Sequence, residues 1–109
     1  MARKAGASAM QADIQQGKNG RLEISGDLNF DSVAGLWRKC HTQFSGCETL
    51  DIDLSGVQRS DSAGVALLVD CLRQAHQSGK AIRFFNIPTQ MLALARVSSL
   101  DQVLPLQRD

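Results

Sequence analysis

The sequence predicts an α/β domain, with a small mixed β-sheet and helices mainly on one face. Two segments, "LEISGDL" (22–28) and "TLDIDLSGV" (49–57), alternate apolar and polar residues with the period of two of half-buried strands. Two longer segments, 30–44 and 62–78, repeat their apolar residues at helical intervals instead. The order along the chain is β-β-α-β-α-β-α with a short terminal β, which implies parallel pairing through right-handed crossovers. Strands covered on both faces would be continuously apolar. These alternate, so one sheet face is left polar.

Residues 1–9 are small and polar and read as a loose N-terminal arm, with the domain proper over 10–109. "MQADIQQ" (10–16) reads as a short edge strand, closed by the turn signal Gly17-Lys18-Asn19-Gly20. In the next strand Leu22, Ile24 and Leu28 face the core. The first helix, "FDSVAGLWRKCHTQF" (30–44), carries apolar residues at 30, 33, 36, 37, 40 and 44, with Asp31 or Ser32 near its start. In 49–57, Leu50, Ile52 and Leu54 lie on one side and Asp51 and Asp53 on the other. The second helix has a stripe of Val65, Leu68, Val69, Leu72 and Ala75 and stops at "SGK", with Gly79 just past its end. "AIRFFNI" (81–87) is a strand ended by Pro88, and "TQMLALARV" (89–97) is a helix with Thr89 as N-cap and Met91 in the core. "DQVLPL" (101–106) closes the chain as an edge strand, since Pro105 cannot donate to a ladder.

Composition excludes several functions. The 109 residues suit one domain with one modest core, and a net charge of +1 gives no general pull toward nucleic acid or anionic lipid. "MARKAGASAM" lacks the apolar stretch of a secretory signal, and "AGVALLV" is far short of the roughly 20 residues that span a bilayer. A cytoplasmic location is therefore expected. Cys40, Cys47 and Cys71 are odd in number and have no C-x-x-C spacing, so they are expected to be buried, reduced thiols. His41 and His76 lack the spacing of a metal site. Gly79-Lys80 has Gln74 where a phosphate loop needs its first glycine, and neither Ser25-Gly26 nor Ser55-Gly56 completes a nucleophile elbow. Ser62 and His76 would lie about 20 Å apart on one helix. Asp51 and Asp53 share a strand face, which a polar solvent-facing surface explains. No catalytic residue, cofactor or metal is expected.

The stretch "SDSAG" (60–64) is the singular feature. Ser or Asp at a helix start satisfies free backbone N–H groups, worth about 1 kcal/mol. Gly64 does not fit that role alone, because glycine inside a first turn costs up to about 1 kcal/mol against alanine. Its presence points to something approaching the backbone closely. A hydroxyl at a helix N-terminus is also a favourable place for a phosphate.

The strand "LDIDLSGV" followed by Asp61-Ser62-Ala63-Gly64-Val65 and the "SGK" exit resembles the STAS domain, over about residues 20 to 106. The resemblance implies a STAS-like (SpoIIAA-like) fold and a protein-interaction role. In anti-sigma-factor antagonists of this family, the hydroxyl after the aspartate accepts a phosphoryl group from a partner kinase, and that position is Ser62. A second branch, the STAS subunits of phospholipid-transporting ABC complexes that maintain outer-membrane lipid asymmetry, is similar in "LEISGDLNF", in the Trp37 of "GLWRKC" and in "MLALARVSSLDQVLPL". This branch commonly has Thr at position 62, and Ala63 here replaces a frequent glycine or serine.

The resemblance thus implies a non-enzymatic cytoplasmic subunit that binds the transporter's ATPase and reaches the inner membrane only through that partner. Ser60, Asp61, Ser62, Ala63 and Gly64 would lie at or beside the contact. The alternative is an anti-sigma antagonist switched by phosphorylation of Ser62. Trp37 is expected in or near the core, and Arg73, His76 and Lys80 on a solvated face, with an interaction role open for each.

Overall fold

The computed structural model describes residues 11–17 and 20–108. The expected arm at 1–9, Met10, and Lys18 and Asn19 of the expected turn lie outside the described residues. The chain folds as β1 (Asp13–Gln16), β2 (Leu22–Leu28), α1 (Phe30–Phe44), β3 (Thr49–Ser60), α2 (Ser62–Gln77), β4 (Ala81–Phe85), α3 (Thr89–Val97), a 3₁₀ turn (Leu100–Gln102) and β5 (Leu106–Gln107). The sheet order is β1-β2-β3-β4-β5. Only β1 runs antiparallel to its neighbour, and β2 to β5 are mutually parallel. Each parallel crossover moves one strand over in the same direction, so a common handedness puts all three helices on one face.

The alternation in the strands becomes the two faces of the sheet. Ile24, Ile52, Leu54 and Phe84 are fully buried beneath the helices, against Leu36 and Cys40 of α1, Leu68 and Cys71 of α2, and Met91 of α3. On the other face Asp51 accepts two hydrogen bonds from Arg83, at 3.0 and 2.9 Å, across the β3–β4 register. Beside them Arg21 lies 3.7 Å from the Phe85 ring centre and 3.7 Å from Asp53. Both aspartates thus belong to a charge-paired polar face.

Helix ends follow local rules with two adjustments. Asn29, two residues before Asp31, caps α1 and leaves Asp31 and Ser32 in the first turn. Its side chain accepts from the N–H groups of Asp31 and Ser32 at 2.9 Å, and Ser32 Oγ accepts from Asn29 N at 3.0 Å. The N-cap of α3 is Pro88 rather than Thr89. The Pro88 carbonyl already accepts the bond from Leu92 N, so Thr89 is inside the helix. Helix α2 ends as expected: Gly79 has φ +68°, Lys80 N bonds Ala75 O and Gly79 N bonds His76 O, which together close a Schellman motif.

Two strands differ from the sequence pattern. β3 continues past residue 57 to Ser60, because Arg59 and Ser60 pair with Asp27 and Leu28 of β2. The segment 101–106 is not a strand. Val103 N and Leu104 N both bond Leu100 O, a tight turn that buries Leu104 and leaves only Leu106–Gln107 to pair with β4.

Candidate partner-binding site

The five residues 60–64 divide by direction. Ser60 ends β3 and is buried, at 4% exposure. Its hydroxyl donates to Asp61 O at 2.9 Å, and its N–H donates to the side chain of Gln90 on α3 at 3.3 Å. Asp61 N donates to Leu28 O at 3.0 Å, so the chain leaves the sheet from a fixed point. Asp61 is then the N-cap of α2, its carboxylate accepting from Ala63 N at 2.8 Å. Asp61 and Ser62 are exposed, Ala63 is half-buried and Gly64 is buried.

Gly64 is explained by this packing. A Cβ there would fall on Ser60 Oγ, well inside contact distance, and 3.0 Å from the Leu28 Cβ. The close approach anticipated from the sequence is therefore internal, made by the strand against its own helix. Ser60 and Gly64 build the frame, while Asp61, Ser62 and Ala63 supply the surface.

A groove of about 530 Å³ runs from this surface between α1 and α2. Phe30, Val33, Ala34 and Trp37 line one wall, and Ser62, Ala63, Ala66, Leu67 and Asp70 the other. Phe30 is 84% exposed, at the head of the groove beside Ser62. Trp37 is half-buried, with its ring edge-on to His41 at 6.2 Å between centres. The apolar positions of α1 thus serve two neighbouring faces. Leu36, Cys40 and Phe44 enter the core, and Phe30, Val33 and Trp37 form the groove wall. The sequence pattern puts Phe30 on one apolar face with the core residues and gives no groove, although six apolar positions in fifteen residues make a stripe wider than one buried face needs. Leu67 was likewise absent from the expected α2 stripe, yet it is fully buried.

The remaining reactive groups lie elsewhere. Cys40 and Cys71 are free and buried, and Cys47 is half-buried. A hydrogen bond with Cys40, and then burial, hold the Cys71 thiol well above the usual range for ionisation. Among the described residues no three His, Cys, Asp or Glu side chains gather as a metal site. Ser62 and His76 stand at opposite ends of α2. Arg73 and His76 are exposed, whereas Lys80 is half-buried and donates to Phe44 O at the end of α1.

A model of the family described as "Mlab, STAS domain" matches residues 12–106, nearly all of the described chain. The chain belongs to this STAS domain family. It is 33% identical over 84 residues to the intermembrane phospholipid transport system binding protein MlaB of Haemophilus influenzae, spanning 72% of this chain and 79% of the relative. The protein of the same name from Escherichia coli is 32% identical over 85 residues, spanning 77% and 86% respectively. Among solved structures, an anti-sigma factor antagonist from Mycobacterium paratuberculosis superposes with a TM-score of 0.73 at 16% identity, over 90% of this chain and 85% of that one. The unphosphorylated antagonist SpoIIAA does so at 0.69 and 16%, over 90% and 87%. At such identities the likeness is one of fold. The STAS fold of this chain therefore agrees with both of its expected branches. No helix among the described residues of this STAS domain is long and apolar enough to cross a membrane.

Proposed function

We propose that this STAS domain is a non-enzymatic subunit of a phospholipid-transporting ABC complex, docked on the complex's ATPase through Asp61, Ser62, Ala63 and the α1/α2 groove. The observation that carries the reading is Phe30: a large apolar side chain, 84% exposed, opening an apolar groove that begins at Ser62. Exposed aromatic anchors next to a pocket are where binding energy concentrates at interfaces. The names of the two relatives supply the system, intermembrane phospholipid transport. A stable contact of this kind buries on the order of 1,000 Å² or more, so the head of α2 and the groove act together. By binding one state of the ATPase more tightly, the subunit shifts that state's population by the affinity difference. Its place is then cytoplasmic, peripheral to the inner membrane through its partner.

A second reading is favoured by Ser62 itself. Its hydroxyl is exposed at the first position of α2 and makes no hydrogen bond with a described residue. As an anti-sigma antagonist, the chain would accept the γ-phosphoryl group of ATP on Ser62 Oγ from a partner kinase, which releases ADP and the hydroxyl proton. The added charge of about −2 beside Asp61 would then reset docking.

Affinity co-purification of the full chain from its own host, with intact-mass measurement, tests both. The expected result is recovery with an ABC ATPase and membrane subunits at unmodified mass. Recovery with an ATP-binding kinase instead, and one phosphoryl mass increment that Ser62→Ala abolishes, would replace the transporter reading with the antagonist one.

A further inference from the structure

We infer that the segment seated in the α1/α2 groove is about two turns of amphipathic helix from the ATPase, carrying an arginine or lysine that meets Asp70 and Trp37. This rests on the docking reading above and adds the chemistry of the occupant.

The groove spans Phe30 to Trp37 on one wall and Ser62 to Asp70 on the other. At 1.5 Å per residue that is about 12 Å, the length of two helical turns. Its small residues, Ala34, Ala63 and Ala66, leave a channel between two helices that start at the same edge of the sheet. A third helix fits such a channel by seating a ridge of its side chains in it, with anchors at i, i+3 or i+4 and i+7. Phe30 at the head faces the first anchor.

The far end of the groove is chemically different. Among the described residues Asp70 is the one charged group that lines it; Asp70 is exposed and makes no ion pair or hydrogen bond with another described residue. Among the described residues, no lysine or arginine lines the groove. An acidic occupant would be repelled, and a wholly apolar one would take water from Asp70 without return. A cation there gains the Asp70 carboxylate and lies beside Trp37, which lines the same end of the groove, and indole is the best aromatic partner for a cation. The planar guanidinium of arginine suits both contacts better than lysine does. The charge also sets which way the occupant helix lies, with its basic residue at the Trp37 end and its apolar anchors toward Phe30 and Ser62.

The test is a binding titration of the full chain against the ATPase recovered by co-purification, at about 50 and 300 mM salt, where the Debye length falls from roughly 14 to 6 Å. Asp70→Asn is expected to weaken binding about three- to tenfold and to flatten its salt dependence. Asp70→Glu should retain most of the affinity, and Asp70→Lys should weaken it more than about 30-fold. Phe30→Ala should weaken binding at both salt concentrations alike. Both positions are exposed, so unfolding temperatures should stay near that of the parent. If Asp70→Lys binds as tightly as the parent while Phe30→Ala does not, the groove docks its partner but the cation is overturned. If Phe30→Ala, Ser62→Asp and Asp70→Lys all bind as the parent does, the docking reading itself fails. Sedimentation of the isolated chain adds one further outcome: a dimer that Phe30→Ala dissociates and the ATPase cannot displace would make a second copy the occupant, and would overturn the proposal.

Discussion

Replacing Gly64 by alanine tests how the β3–α2 junction is built. In an ordinary helix the change stabilises by up to about 1 kcal/mol, because glycine is the poorer helix former. Here the new methyl would fall on Ser60 Oγ and 3.0 Å from the Leu28 Cβ. Neither neighbour can yield easily, since Ser60 is 4% exposed and Leu28 1%. Turning the Ser60 side chain away breaks its 2.9 Å bond to Asp61 O, a loss of about 1 kcal/mol for a buried hydroxyl. Overpacking adds about 1–3 kcal/mol. Set against the helix gain, the expected net loss is about 1–3 kcal/mol. At about 4–8 °C per kcal/mol for a domain of this size, the thermal midpoint followed by circular dichroism should fall by at least about 4 °C. An unchanged or raised midpoint would refute the packing account. The Ser60→Ala/Gly64→Ala double variant identifies the cause. It removes the oxygen in the way, so it should be less destabilised than the sum of the single variants by about 1 kcal/mol. Strict additivity would exclude Ser60 as the obstacle.

Two other expectations concern stability alone. Asn29→Ala removes the side-chain acceptor of the α1 capping box, which receives the N–H groups of Asp31 and Ser32, and should cost about 1 kcal/mol, read as a lower urea midpoint with an unchanged slope; an unchanged midpoint would mean that this cap adds nothing to the packing that holds α1. The Cys71 thiol is held above its unfolded ionisation range by Cys40 and by burial, so the unfolded chain loses that proton first as pH rises past about 8.5. Its contribution is complete below that pH and declines above it. Unfolding midpoints measured from pH 8 to 10 should therefore drop more steeply in the parent than in Cys71→Ala, and equal slopes would contradict the assignment.

Much of the fold was legible because single segments carried their own patterns. The α1 limits, 30–44, and the Gly79 stop of α2 follow from helical periodicity and from a left-handed position that glycine takes at no cost. What was not legible depended on partners distant in sequence. The alternating pattern of the strand ends at Val57, yet β3 runs on through Gln58 and Arg59 because β2 offers Asp27 and Leu28 to pair with. Ser60 reads as surface, yet it is covered by Gly64 and Gln90, the second of which is thirty residues away. "DQVLPL" has strand-like composition, but burying Leu104 requires a turn. The candidate site was half visible. The Asp61-Ser62 surface lies in a contiguous motif, whereas the groove needs Phe30 and Trp37 of one helix opposite Ala66 and Asp70 of another, a juxtaposition set by two crossovers of the same hand.

Under the proposed docking, the two halves of the polar cluster have different roles. Asp61 is fixed by its bond to Leu28 O from behind and by its cap to Ala63 N in front, so Ser62 is presented from a frame with little freedom to lose. A partner that meets such a surface forgoes the cost of ordering it, about 0.5–1.5 kcal/mol for each mobile side chain. Changes at Ser60 or Gly64 should therefore weaken docking only together with thermal stability, because they loosen the frame. Changes at Ser62 should weaken docking at constant stability, because the hydroxyl is at the surface and outside the hydrogen bonds that hold the junction. Plotting affinity against thermal midpoint for variants at 60, 62 and 64 separates the roles: Ser62 variants should leave the line on which the other two fall. If all three fall on one line, position 62 acts through the fold and the contact lies elsewhere on the domain.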